Sequence, residues 1–268
     1  MSDSLRVYCD SLGSFVNLSA KPKRIISLVS GLTEALFEMG YGAQVVGVSA
    51  YCSRYVPNLT VPVVGDYLQV DENQIKQLEP DLILTTTGVQ RGLGRKLSEH
   101  GFPVYPCPLP NSLHGILENV TTLGALLDEV DSARALTQRW SRFFLDLETA
   151  APLPRPRVYA ECWLGKHVRM VGGFTFIHDI ITAAGGENIF GAHRQGYLPL
   201  DIAAAERAQP EILLSFSEPD YPIDVNFLQK ERGWNLRVIV SDVTRGQNII
   251  HDGPSMMETA AWLKQQIT

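Results

Sequence analysis

The stretch Asp128–Ala150 reads DEVDSARALTQRWSRFFLDLETA. Within it Ala133, Leu136, Trp140, Phe143, Phe144 and Leu147 recur three or four residues apart, an apolar stripe on an otherwise charged surface. That period predicts one continuous helix, about 30 Å long, enough to cross a small domain. Asp128 and Asp131 suit its first turn, where carboxylates meet the positive end of the helix dipole. Pro152, Pro154 and Pro156 forbid continuation. The helix divides the chain near its middle, so residues 1–127 and 151–268 read as two α/β lobes bridged by 128–150.

On the amino-terminal side, Arg6–Cys9 and Ser14–Leu18 read as short strands around a turn at Asp10–Gly13. Arg24–Val29 is a continuous apolar run, typical of a buried parallel strand, and leads into a helix closed by Gly40. Strands at 45–48, 81–84 and 104–107 alternate with helices at 71–78, 93–100 and 113–127. Alternation of this kind is the signature of a parallel sheet covered on both faces.

The same grammar restarts after the bridge. Arg157–Glu161 reads as a strand, Gly173–Gly185 as a helix with a glycine stop, and Gly185–Asn188 as a turn. A helix at 203–208, Pro210 and the strand Glu211–Leu214 repeat the order of Ile75–Leu78, Pro80 and Asp81–Leu84. Two such units in matching order argue for lobes of related fold. The expected fold class is α/β: two related lobes with mainly parallel sheets flanked by helices, joined by one long helix, with a ligand cleft between them.

At 268 residues, 45% hydrophobic and 19% charged, the chain has the composition of a globular protein with ample core. A net charge of -6 and the lack of a dense Lys/Arg run argue against nucleic acid, and no apolar run is long enough for membrane insertion. MSDSLRVYCDSLGSF lacks the parts of a signal peptide, and the four cysteines (Cys9, Cys52, Cys107, Cys162) form no CxxC pair. Both features lead to the expectation of a cytoplasmic chain with free thiols, or an extracytoplasmic one whose export signal has been removed.

Open α/β sheets bind ligands outside the carboxyl ends of their strands. The loops to inspect are therefore 49–55, 65–70, 85–92, 107–110, 162–173, 191–199, 215–221 and 242–253. Tyr51, Tyr55, Tyr67, Trp163, Phe174, Tyr197 and Tyr221 gather there, and flat rings suit a large conjugated ligand. Catalytic signatures are absent: no GxSxG, Walker loop, HExxH or Rossmann fingerprint. Gly88–Gly94 is glycine-rich and basic but lacks the Lys-Ser/Thr ending of a phosphate loop. The six histidines show no metal-ligand spacing; His167, His193 and His251 fall in the loops, which leaves a metal site open to them, and a single axial ligand to a metal-centred ring is one form of it.

On these residues the chain resembles the ABC-importer substrate-binding proteins whose two lobes are joined by one long helix. Asp10–Gly13, Pro22–Leu28, Thr33-Glu34 and Val46-Gly47-Val48 follow that family's opening pattern. Leu78–Ile83 and Ala184–Phe190 are the most specific later stretches. The family serves cobalamin, ferric siderophores and haem, and the likeness is greatest to its corrinoid-binding branch. There a tyrosine after the Val-Gly-Val strand corresponds to Tyr51, and an aromatic ahead of a second-lobe helix corresponds to Tyr197. Asp66 and Tyr67 stand where that branch has a tryptophan, and Arg169 where it has an aromatic. The family also docks on its permease through one glutamate per lobe; Asn73 and Ala203 occupy those positions, leaving Glu72 and Asp201 as the neighbouring carboxylates.

What this implies is a non-enzymatic binding protein for a cobalamin-like corrinoid or other tetrapyrrole, with no catalytic cofactor and an ABC-importer permease as the candidate partner. The candidate ligand contacts are Tyr51, Cys52, Tyr67, Gln90, Arg91, Trp163, Arg169, Phe174, Tyr197 and Arg245. His251 is the candidate axial ligand; Glu72 and Asp201 are the candidate docking carboxylates. Two alternatives stand beside it. A ferric-siderophore or haem receptor would use Arg91, Arg169, Arg194 and Arg245 against an anionic ligand. A cytoplasmic corrinoid binder or modifying enzyme would need an acid–base pair such as Glu161 with His251.

Overall fold

The computed structural model describes residues 4–151 and 153–268. The proline stop expected at Pro152 lies outside them, as do residues 1–3. The chain forms two compact units. Unit 1 comprises residues 1–110, 114–139 and 252–254; unit 2 comprises 111–113, 140–251 and 255–268.

Unit 1 begins with an antiparallel hairpin, β1 (Ser4–Cys9) and β2 (Ser14–Ser19), as the sequence predicts. Its elements then run β3 (Ile25–Ser27), α1 (Ser30–Glu38), β4 (Val45–Ser49), β5 (Val63–Gly65), α2 (Glu72–Gln77), β6 (Leu82–Thr86), α3 (Arg91–Glu99), β7 (Val104–Cys107) and α4 (Leu113–Leu126). The five strands pair in the order β5-β4-β3-β6-β7, all parallel. Ile26, Leu28, Val64, Ile75, Ile83, Leu93, Leu97 and Val104 form one buried cluster between the sheet and its helices. Fully burying an Ile or Leu contributes about 1.5–3 kcal/mol, so the near-continuous apolar strands follow from burial on both faces.

Helix α5 spans Val130–Thr149. It starts two residues later than the sequence suggests. Asp128 adopts a left-handed conformation, φ 59°, and makes the turn after α4, so only Asp131 sits in the first helical turn. The apolar stripe is where its period put it: Ala133, Leu136, Trp140 and Phe144 are buried, Phe143 and Leu147 half-buried.

Unit 2 runs β8 (Arg157–Leu164), β9 (His167–Val171), α6 (Phe176–Ala183), β10 (Glu187–Asn188), β11 (Tyr197–Leu198), α7 (Ile202–Arg207), β12 (Ile212–Ser217), α8 (Val225–Arg232), β13 (Arg237–Ser241) and α9 (Met256–Ile267). The sheet order is β11-β9-β8-β12-β13, with β10 beside the start of β8. Two sequence readings are corrected here. The segment 162–173 is not a loop: β8 turns at Gly165 into β9, and the two pair antiparallel. Glu187-Asn188 is not only a turn but a short parallel strand.

The internal likeness of the units is chemical as well as topological. Asp71 caps α2 by accepting the Asn73 and Gln74 amides, and Asp201 caps α7 by accepting the Ala204 amide. Each helix ends at a left-handed residue before proline, Glu79 at φ 44° and Gln209 at φ 49°. Arg24 Nε donates to the Leu78 carbonyl at 2.8 Å, and Arg157 Nε to the Ala208 carbonyl at 3.0 Å, clamping each helix end to the first strand of its sheet. The following strands β6 and β12 pair parallel with β3 and β8. On the other side the likeness stops, because β4 and β5 are parallel where β9 and β11 are antiparallel to their neighbours.

Candidate functional site

In unit 1 the loops after β4, β5 and β6 leave the sheet at its carboxyl edge, the edge where open α/β sheets hold ligands. The β5 loop folds tightly on itself. Asp66 accepts the Leu68 and Gln69 amides at 2.6 and 2.8 Å, and the Asp66 amide donates to the Gln69 carbonyl at 2.8 Å. A Cβ on Gly65 would meet that carbonyl at 2.2 Å, so only glycine permits the fold-back. The loop places Tyr67 against Tyr51, with centroids 4.4 Å apart and planes 12° from parallel. Burial pushes the Tyr67 phenol up to about 12, and its side chain hydrogen-bonds Ser30. The Arg54 guanidinium lies over Tyr51, 4.8 Å from the centroid.

Beside this stack is a groove of about 540 Å³ lined by Leu68, Gln69, Val70, Val89, Gly92, Leu93 and Lys96. Leu68 and Val89 are exposed aliphatics at its rim. Sequence reading missed both because it searched those loops for aromatic and polar side chains, and Lys96 because it lies outside them, on α3. Arg91 is exposed at the start of α3.

Two expected ligand contacts are corrected. Cys52 is buried, its thiol 3.1 Å from Thr33 Oγ1 and 3.2 Å from Ser49 Oγ. Gln90 is buried too: Oε1 accepts the Thr86 amide and Nε2 donates to the Leu28 carbonyl, both at 3.0 Å. Their polar atoms serve the interior of unit 1, tying β6 and its loop to β3 in the second case.

In unit 2, Tyr159, Glu161 and Trp163 alternate along one face of β8. Glu161 is 0% exposed. Its carboxylate accepts the Tyr159 hydroxyl at 3.0 Å, the Trp163 indole N–H at 3.1 Å and Arg232 NH1 at 2.9 Å. Burial and that neighbouring carboxylate hold the Tyr159 phenol far above its ordinary range. Arg232 also lies 5.0 Å from the centroid of Trp234. Arg232, from α8, is the participant that sequence reading missed, since no motif links it to a strand 71 residues earlier.

The other candidates of unit 2 are dispersed. Trp163 is half-buried at the end of β8; Arg169 is exposed on β9 and bonds back to the Val168 carbonyl at 2.8 Å. Phe174 and Tyr197 are exposed near one another: the Phe174 amide donates to Gln195, and β11 pairs Tyr197 with Val171. Arg245 is exposed and pairs with Asp242 at 3.3 Å. His251 is only 3% exposed. Among the described residues no group of three or more His, Cys, Asp or Glu is placed to hold a metal ion.

Of the docking carboxylates, Asp201 caps α7. Glu72 receives Lys96 Nζ at 2.8 Å and faces His100 Nδ1 at 2.7 Å. Lys96 first, then His100, hold the Glu72 carboxyl down at about 2. The stabilisation from this depressed carboxyl is present above its ordinary value and is lost as pH falls through about 2. An NMR titration of the Glu72 side chain is expected to show a midpoint near that value, and Lys96→Met to raise it; an unmoved midpoint in the variant refutes the pairing.

No helix among the described residues is long and apolar enough to cross a membrane. Residues 25–237 match the model of the family described as periplasmic binding protein. A "Cobalamin-binding protein" of Halobacterium salinarum is 30% identical over 186 residues, 67% of this chain and 49% of that protein. The chain thus spans about half the length of this curated relative. The periplasmic haem-binding protein RhuT of Roseiflexus superposes with a TM-score of 0.77 at 23% identity, covering 91% of this chain and 97% of that one. The periplasmic vitamin B12-binding protein BtuF of Vibrio cholerae gives 0.70 at 20% identity, covering 92% and 96%. The two structural likenesses establish the fold, and the family match covers most of the sequence. The chain belongs to the periplasmic binding protein family.

Proposed function

We propose that this chain is a substrate-binding protein that holds a flat tetrapyrrole, a cobalamin-like corrinoid foremost, for delivery to an ABC-importer permease. The observation that carries the reading is the Tyr67–Tyr51 stack beside an aliphatic groove at the carboxyl edge of a parallel sheet. A ring system with an apolar face and polar margin fits such a surface. The relatives named as cobalamin-binding and vitamin B12-binding proteins point to the same ligand class. Haem is the second reading, favoured by the exposed Arg91 and Arg95 along α3, which suit an acidic ring margin.

The role is one of binding, not catalysis. Glu161, the acid of the pair considered for an enzyme, is fully buried and engaged by Arg232, Tyr159 and Trp163. Transport service places the chain on the outer side of the cytoplasmic membrane. Its four free thiols are all buried, and buried thiols are inert, so they do not demand a reducing compartment.

Val89→Asp tests the ligand site without testing the fold. Val89 is 69% exposed, so folding stability should change by less than about 0.5 kcal/mol. Affinity for the cognate ring should fall about tenfold, because a carboxylate must be desolvated at the groove. Native mass spectrometry and absorption spectra of protein from its own host identify that ring. Unchanged affinity in the variant removes the groove from the site.

A further inference from the structure

The outer face of Tyr51 is already covered. Tyr67 takes one face at 4.4 Å, and the Arg54 guanidinium carbon lies 4.8 Å from the same centroid. Two groups this near cannot share one face of one ring, so the cation lies on the side away from Tyr67. Local geometry puts it there. Cys52–Arg54 is a single helical turn opening at Tyr51, and the Arg54 amide donates to the Tyr51 carbonyl at 3.2 Å. Three residues on, the side chain returns over the ring it started from. The base of the turn is fixed by the buried Cys52 thiol between Thr33 and Ser49. Arg54 itself is exposed and has no carboxylate partner among the described residues.

An exposed cation over a half-buried ring is held weakly and exchanges readily, while its charge stays undiminished for a better partner. We propose that Arg54 is the specificity gate of this site: a flat ligand reaches Tyr51 by displacing the guanidinium, and the displaced cation then pairs with a carboxylate or phosphate at the ligand's edge. The gate therefore selects a ring that carries an anion at its margin, a carboxylate or the phosphate of a corrinoid's nucleotide loop, over a neutral one of the same shape. A neutral ring loses the cation–ring contact and gains nothing in return; an acidic ring exchanges it for a charge-assisted pair. This rests on the reading of the site as ring-binding.

The test titrates wild-type protein, Arg54→Ala and Arg54→Met with two corrinoids, dicyanocobinamide with its amide margin and dicyanocobyrinic acid with its carboxylate margin. For both variants the amide-edged ring is expected to bind about two- to fivefold tighter, since nothing has to be displaced. The carboxylate-edged ring is expected to bind about tenfold weaker, and its wild-type affinity to fall with added salt. Opposite shifts for the two rings support the gate. Shifts in the same direction, or none, overturn it while leaving the ring-binding reading intact. Failure of wild-type protein to bind either ring overturns the gate and, with it, the corrinoid reading of the site. Methionine keeps the length of the side chain without its charge, so agreement between the variants assigns the effect to the cation.

Discussion

Glu161→Ala is expected to remove about 3–5 kcal/mol of folding stability, the loss that follows when one partner of a buried ion pair is deleted. The carboxylate is 0% exposed, and the side chain of its partner Arg232 is 9% exposed. Without Glu161 the guanidinium has neither water nor a counter-charge, and the Tyr159 hydroxyl and Trp163 indole lose their acceptor as well. Glu161→Gln keeps an acceptor oxygen but strands the guanidinium charge, so its loss should be smaller yet substantial. Replacing Glu161 and Arg232 together by apolar side chains of similar volume should recover much of the loss, because no buried charge is left unpaired. Urea unfolding with an unchanged slope measures all three. A loss below about 1 kcal/mol for Glu161→Ala would mean that water reaches the pair.

The second large effect is expected at Trp140. It is fully buried on α5, and its indole N–H has no partner among the described residues. Trp140→Ala should therefore cost about 3–5 kcal/mol through packing alone. Trp140→Phe should cost much less than Ala, since it keeps most of the apolar volume and removes an N–H that is buried without an acceptor. Leu145, five residues further along the same helix, is 64% exposed, and Leu145→Ala should stay within about 0.5 kcal/mol. Equal losses at 140 and 145 would mean that the helix buries a different face.

The backbone plan was legible because its signals are local. The helical stripe survives as read at Ala133, Leu136, Trp140 and Phe144, and the paired helix–proline–strand units are present at Pro80 and Pro210. The errors came where distant residues decide. Trp163 and Arg169 read as loop residues because the first strand of unit 2 reads as ending at Glu161 and β9 has only five residues; its pairing with β8 supplies the order that its own sequence does not. Cys52 and Gln90 fell in loops that a binding site would use, yet both side chains turn inward to meet buried polar atoms of unit 1. A polar side chain in a loop does not reveal from sequence whether it faces a ligand or an orphaned backbone group. Arg232 carried no signal, since its meaning comes from Glu161 on another element. Tyr51 and Tyr67 were singled out as aromatic residues in candidate loops, but their stacking on each other, and Arg54 above them, appeared only in three dimensions.

Binding of a flat tetrapyrrole is the claim on which the functional account depends. Its most direct test is an equilibrium titration of the purified, ligand-free chain with cyanocobalamin and, in parallel, with haem, followed by the absorption of the ring. The account predicts saturable one-to-one binding of at least one of them, weakened about tenfold by Val89→Asp. No saturable binding of either up to about 100 µM, an affinity weaker than about 5.5 kcal/mol, would contradict it.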